Sequence, residues 1–160
     1  MKNHLRIMML LCFGFLPGGL LAQQVIRQMA CSDPSILQQA DSLKQLLAKS
    51  GFIVVKEASV SMESEYEMPV VVPLTQGSWY QFVFIGDITS KLYEVRMFDW
   101  NEKQVVYQKK MWGDVDGNII SYDYIPKFTE YHMIKPVQVN KKKKKLCGYV
   151  MLLKKTVAQP

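Results

Sequence analysis

Hydrophobic and polar positions follow two periods along the chain, and the change falls at Gly51. Before it, Ile36, Leu37, Ala40, Leu43, Leu46 and Leu47 recur at steps of three and four, the spacing that gathers side chains on one face of an α-helix. Ser32 or Asp33 can cap this helix, Pro34 suits its first turn, where no amide donor is needed, and Gly51 stops it. Gln38, Gln39, Asp41, Lys44, Gln45 and Lys49 occupy much of the remainder. The pattern predicts a helix lying on a sheet surface, its apolar face packed within the molecule.

From Phe52 onward the period shortens to two, in segments rich in Val, Ile, Tyr and Phe. About eight strands are predicted: 52–62, 68–74, 79–85, 92–100, 104–112, 118–125, 131–140 and 146–154. The separators are turn-formers, among them Thr75-Gln76-Gly77-Ser78, Gly86-Asp87, Asp116-Gly117-Asn118 and Pro126-Lys127. Short connections without helices point to antiparallel neighbours, because a parallel crossover takes a dozen or more residues. The expected fold is mainly β: an antiparallel β-sandwich or jelly roll of about eight strands with one N-terminal amphipathic helix. Tyr80, Phe82 and Phe84 share a strand face, and Tyr93, Val95 and Met97 should point into the core, opposite Leu92, Glu94 and Arg96. Gly148 to Leu153 is apolar on both faces, as in a central strand or one covered by the helix.

Residues 1–22 carry a different signal. Lys2 and Arg6 precede an apolar run from Ile7 to Leu16, and Pro17, Gly18 and Gly19 break it before Leu20-Leu21-Ala22. This is the pattern of a secretory signal peptide, and the run is too short to span a bilayer. The expected organisation is a signal peptide (1–22), an arm and helix (23–51), a β-sandwich (52–155) and a tail (156–160). The exported chain is then periplasmic or extracellular and has no transmembrane span. Losing Lys2 and Arg6 takes the net charge from +6 to +4, which argues against nucleic acid as a partner. Cys12 follows Leu11 rather than a small residue and leaves with the signal.

Cys31 and Cys147 remain, near opposite ends of the exported chain. In an oxidising compartment the economical expectation is that they pair. No C-x-x-C spacing suggests a redox site.

Candidate chemistry is sparse, and no cofactor is implied. Once His4 leaves, His132 is alone, which removes the usual zinc spacings and leaves a Ser-His-Asp triad only this one imidazole. Asp114, Asp116 and Asn118 alternate like the opening of a calcium loop, but the glycine is misplaced and Ile125 stands where a bidentate glutamate belongs. Asp116-Gly117 is expected to form a hairpin turn instead. Glu63, Glu65 and Glu67 would share one face of an extended segment, with a spacing that overlaps the carboxylate pairs of inverting glycosidases. Nothing supplies the apolar pocket such a pair needs, so a solvated edge is expected. Trp79, Trp100 and Trp112 are glycan-stacking candidates near strand ends. Lys141, Lys142, Lys143, Lys144 and Lys145 form a self-repelling run, suited to an acidic polymer, a lipid headgroup surface or an acidic partner, or to a soluble hairpin tip that guards a sheet edge.

The stretch Gly77-Ser78-Trp79-Tyr80-Gln81-Phe82-Val83-Phe84-Ile85-Gly86-Asp87, the strand Glu94-Val95-Arg96-Met97-Phe98-Asp99 and the closing Cys147-Gly148-Tyr149-Val150-Met151 together resemble the bacterial pre-peptidase C-terminal type of β-sandwich. The resemblance spans about half the exported chain. It implies a small accessory domain that binds or chaperones, and it carries over no catalytic residue. The chain departs from that pattern in its N-terminal helix and in having no attached enzyme domain. The function expected from sequence is therefore a non-catalytic exported binding or accessory protein whose partner is another envelope or secreted protein. The alternative is a carbohydrate-binding module using exposed aromatics.

Overall fold

The computed structural model describes residues 30–115 and 117–156. The expected signal segment, most of the arm and tail, and Asp116 lie outside the described residues. One helix, α1 (Pro34–Lys49), precedes eight strands: β1 (Phe52–Glu63), β2 (Val70–Leu74), β3 (Tyr80–Gly86), β4 (Leu92–Phe98), β5 (Gln104–Met111), β6 (Ile119–Tyr124), β7 (Glu130–Val139) and β8 (Lys145–Lys155). They form two four-stranded antiparallel sheets, a first ordered β1-β8-β3-β6 and a second ordered β2-β7-β4-β5.

This interleaved order is a jelly roll. It corrects one expectation drawn from the short loops, because only β4 and β5 are joined as a hairpin and every other connection crosses from one sheet to the other. Stacked sheets lie about 10 Å apart, and a few extended residues at roughly 3.3 Å each span that gap. A short loop therefore fits a crossing as well as a hairpin. Gly117 and the lysine run both lie in such crossings, β5 to β6 and β7 to β8, rather than at hairpin tips.

Between the sheets, Phe82, Phe84, Val150 and Leu152 from the first meet Tyr93, Val95, Met97 and Ile134 from the second, all buried. The inward set expected for β4 is the observed one. On the outer side of the first sheet, α1 buries Ile36 and Ala40, with Leu43 and Leu47 partly covered, against Val83, Ile85, Tyr149, Met151 and Leu153. This covering makes β3 and β8 apolar on both faces. Leu37 and Leu46, expected on the packed face, flank it and are exposed: the stripe 36-40-43-47 is narrow, and these two fall on its sides. Asp33 caps the helix, its side chain accepting from the amides of Ser35 (2.9 Å) and Ile36 (3.3 Å), worth about 1 kcal/mol. The helix is also pinned by charge, with Lys44 Nζ 3.0 Å from Asp41 and 3.3 Å from Glu57, which accepts from the Tyr149 hydroxyl at 2.5 Å.

Cys31 and Cys147 are joined as a disulfide across a separation of 116 residues. The bridge ties the segment before α1 to the outer face of β8, and the hydroxyl of Ser59 on β1 donates to the Cys31 carbonyl. At the same end of the sandwich, fully buried Gln138 joins the sheets. Its Oε1 accepts from the Asp87 amide (2.8 Å) and the Ser90 hydroxyl (3.2 Å), and its Nε2 donates to the Cys147 carbonyl (2.9 Å). The chain makes room with glycines: a Cβ on Gly86 would stand 2.6 Å from the Tyr93 ring and 3.0 Å from Gln138 Oε1.

Candidate functional site

Among the described residues, α1 covers the outer face of the first sheet, and the outer face of the second is the large sheet surface left open. Its side chains are set by strand register. Val71 of β2 pairs with Met133 of β7, which pairs with Phe98 of β4; Pro73 pairs with Tyr131; and Arg96 lies between Lys135 on β7 and Tyr107 on β5. Cross-strand neighbours of this kind are about 4.5–5.5 Å apart. Tyr107, Tyr131, Met111 and Met133 are all exposed.

Trp100, the most exposed tryptophan at 69%, is brought onto this face by the β4–β5 hairpin. The Asp99 carboxylate accepts from the amides of Asn101 and Lys103, both at 2.9 Å, and so shapes the turn. The Trp100 ring stands 6.2 Å from that of Tyr131 at an interplanar angle of 47°. Beside the aromatics runs an ionic chain. Arg96 donates to Glu67 (3.1 Å) and Glu94 (2.8 Å), Lys135 reaches Glu67 at 2.9 Å, and the Tyr107 hydroxyl donates to Glu94 at 3.0 Å. That hydrogen bond to the carboxylate holds the Tyr107 phenol above its ordinary pKa. The face thus combines fixed polar groups with exposed rings, an arrangement suited to recognition.

The tryptophans named from sequence do not converge. Trp79 lies in the β2–β3 connection, edge-on to Phe52 and under Lys155 Nζ at 4.2 Å. Trp112, after β5, stacks under Lys91 Nζ at 4.0 Å at the opposite end from Trp100. Tyr107, Tyr131, Arg96 and Glu94 form no recognisable motif along the sequence. Their signal was outward-facing charge on β4 beside aromatic positions, legible only once strand order is known.

The other candidates are placed as follows. His132 is sealed in the core, its Nε2 3.2 Å from the Tyr124 hydroxyl and 3.7 Å from Glu130, while Nδ1 finds no hydrogen-bond partner among the described residues. The expectation that Glu63, Glu65 and Glu67 share an extended face is corrected: β1 ends at Glu63 and Glu65 adopts φ +74°, so the alternation is broken and Glu67 turns to Arg96. Asp114 accepts from the Met111 amide at 2.7 Å. The Asn118 amide is spent on Gln39 and the Gly86 carbonyl, both at 2.9 Å, and Asp116 lies outside the described residues. No three His, Cys, Asp or Glu side chains converge on a metal position among the described residues. A groove of about 110 Å³, lined by Phe82, Leu152 and Val72, opens between the edge strands β1 and β2 and is bridged by Lys56 donating to the Val71 carbonyl at 3.0 Å. Among the described residues no helix is long and apolar enough to cross a membrane.

These features define a jelly-roll sandwich with one sheet face covered and one open. No family model matches the chain, and no curated protein matches it. Among solved structures it is similar to a protein described with Bacillus endospore appendages that form disulfide-linked pili, at 6% identity over 67% of this chain and 89% of that one, TM-score 0.41. It is also similar to the K3 adhesin domain of Lys-gingipain from Porphyromonas gingivalis (11% identity, 62% and 74% of the chains, TM-score 0.39). A third likeness is to the CBM22-1–GH10 modules of a Clostridium thermocellum xylanase (10% identity, 69% of this chain and 27% of that one, TM-score 0.36). Likenesses this distant identify no partner.

Proposed function

We propose that this chain is an exported, non-catalytic binding module of the cell envelope that engages another envelope or secreted protein through the outer face of its second sheet. The observation that carries this reading is the composition of the open face. Trp100, Tyr107, Tyr131, Met133 and Arg96 lie together there, and aromatic residues, Met and Arg are the types enriched at protein interfaces. The ion pairs along Arg96, Glu67 and Lys135, and the Tyr107 hydrogen bond to Glu94, fix the polar side chains of the face, which lowers their ordering cost on binding. Export is supported by the pattern of residues 1–22 and by the disulfide, a bond that persists in oxidising compartments. A non-catalytic role is supported by the sealed His132 and the ion-paired carboxylates of the face. A second reading, carbohydrate binding, draws on the tilted Trp100–Tyr131 pair beside polar side chains, since a sugar ring presents one apolar face and a rim of hydroxyls.

The test is a high-salt pull-down from the cell's own envelope extract with wild type and with Trp100→Ala/Tyr131→Ala, followed by affinity measurement with the identified partner. A central aromatic is worth about 2 kcal/mol, or roughly thirtyfold in Kd. A purified protein partner whose affinity drops by at least that factor in the variant is the expected result. A partner held equally by both proteins removes the face from consideration. Purified glycan that is retained by wild type and lost by the variant transfers the site to the second reading.

A further inference from the structure

The end of the sandwich away from Trp100 and Trp79 is built from four loops, 64–69, 87–91, 112–118 and 140–144. Hydrogen bonds join them into one surface. The Lys91 amide donates to the Val139 carbonyl (2.8 Å), the Trp112 amide to the Lys91 carbonyl (3.0 Å), the Asn140 side chain to the Thr89 carbonyl (3.0 Å), and the Ser64 amide to the Lys144 carbonyl (2.8 Å). The lysine run is therefore not a floppy tip. Asn140 Oδ1 caps the amides of Lys142 (2.9 Å) and Lys143 (3.1 Å), and the Lys143 ammonium is anchored on buried Asp87 at 2.6 Å.

What the loops present is of two kinds. Lys91, Lys110 and Lys141 to Lys145 supply positive charge, against Glu63, Glu65, Asp114 and the Glu67 held by Arg96 and Lys135 as exposed carboxylates among the described residues. Next to them are large apolar side chains in open solvent: Val115 is 84% exposed, the highest value among the exposed large hydrophobic residues described, Trp112 64% and Ile88 61%. Trp112 stacks with Lys91, whereas Val115 and Ile88 stand in solvent at the crests of separate loops. A soluble polyanion would account for the lysines but not for Val115 and Ile88.

We propose that this end of the sandwich docks on an anionic bilayer, with the lysines over the headgroups and Trp112, Val115 and Ile88 in the interfacial layer. Tryptophan favours that layer, and juxtaposed lysines are attracted to an anionic leaflet within a Debye length. The surface is separate from the open sheet face, so the protein could hold a membrane and a partner at once.

The test is sedimentation of the purified, disulfide-bonded protein with vesicles of equal parts phosphatidylcholine and phosphatidylglycerol, and with phosphatidylcholine alone. Binding to the mixed vesicles only is expected. Lys141→Gln/Lys142→Gln should weaken it about twenty-five-fold, taking roughly fivefold per lysine at the surface. Val115→Asp, at an exposed position and with its fold checked by circular dichroism, should weaken it at least as much, and the vesicle-induced blue shift of tryptophan emission should vanish in Trp112→Phe. Equal binding to both vesicle types overturns the proposal. So does anionic binding that Val115→Asp leaves unchanged and dextran sulfate competes away, which would make this end a polyanion site instead.

Discussion

Replacing Cys31 and Cys147 by alanine removes a tether that closes 116 residues of chain. In the chain-entropy relation, opening a loop of that size returns about 5 kcal/mol of conformational freedom to the denatured state at 25 °C. A domain of this size has a total stability of roughly 5–15 kcal/mol, so the variant should lose between a third and nearly all of it. Urea unfolding at neutral pH measures this directly. With an m-value of about 2 kcal/mol per M, the midpoint should fall by about 2.5 M, and m should rise because the untethered chain exposes more surface when unfolded. The structure also admits a different outcome, since the bridge sits just ahead of α1 and fastens the helix to β8. Hydrogen exchange separates the two. If removing the bridge speeds exchange only in α1, while the amides of β3 and β8 keep their protection and the midpoint falls by less than the equivalent of ~1 kcal/mol, the denatured-state account is refuted and the bridge is merely a local clasp.

Two further outcomes follow from the polar groups at the lysine end. Gln138→Leu keeps the volume but orphans the buried Asp87 amide and removes the donor to the Cys147 carbonyl, so stability should drop by about 3 kcal/mol; a loss under ~1 kcal/mol in chemical denaturation would show that Gln138 is not the joint between the sheets. For Asp87, burial pushes its pKa up, but hydrogen bonds from Lys143 and from the Thr89 hydroxyl and amide outweigh it and hold the carboxyl below its usual value. A carboxyl depressed in the folded state contributes stability that is fully present above its unfolded pKa, near 3.8, and is lost as pH falls through the folded value. Lys143→Gln should therefore cost about 2 kcal/mol near pH 7, with the gap to wild type closing below about pH 4; a gap independent of pH would refute the pairing.

Much of this architecture is legible along the chain, because burial imposes periodicity. The strand boundaries expected from alternation agree with the observed ones to within two residues, the helix stands where the three-and-four spacing put it, and Cys31 and Cys147 are bridged. Strand order was not legible. Alternation tells which side chains of β4 face inward, but nothing in Leu92 to Phe98 says that its neighbours are β5 and β7, thirty-odd residues of sequence away in the latter case. The open face depends wholly on that order, since Arg96 meets Tyr107 and Lys135 only through pairing. Gln138 was equally hidden: a glutamine in a strand is ordinarily a solvent-facing residue, and only Gly86 and Gly148, small enough to let it in, mark its place.

The asymmetry of the two sheets connects fold to use. A jelly roll has two outer faces, and a chain that places one amphipathic helix ahead of the first strand can cover only one of them. Here α1 covers the sheet containing β3 and β8, whose outward residues Val83, Ile85, Tyr149, Met151 and Leu153 are apolar and need shelter. The second sheet, given no such cover, has answered the same problem differently. Its outward positions on β4 carry Glu94 and Arg96, which tie down the Tyr107 hydroxyl, while the Trp100 and Tyr131 rings lie against each other nearby. If that pattern served solubility alone, the exposed aromatics would be a liability with no return, and replacing Tyr107, Tyr131 and Trp100 by serine would improve solubility at no cost in binding. Loss of partner affinity in the same variants would instead identify the rings as the reason the face is left open.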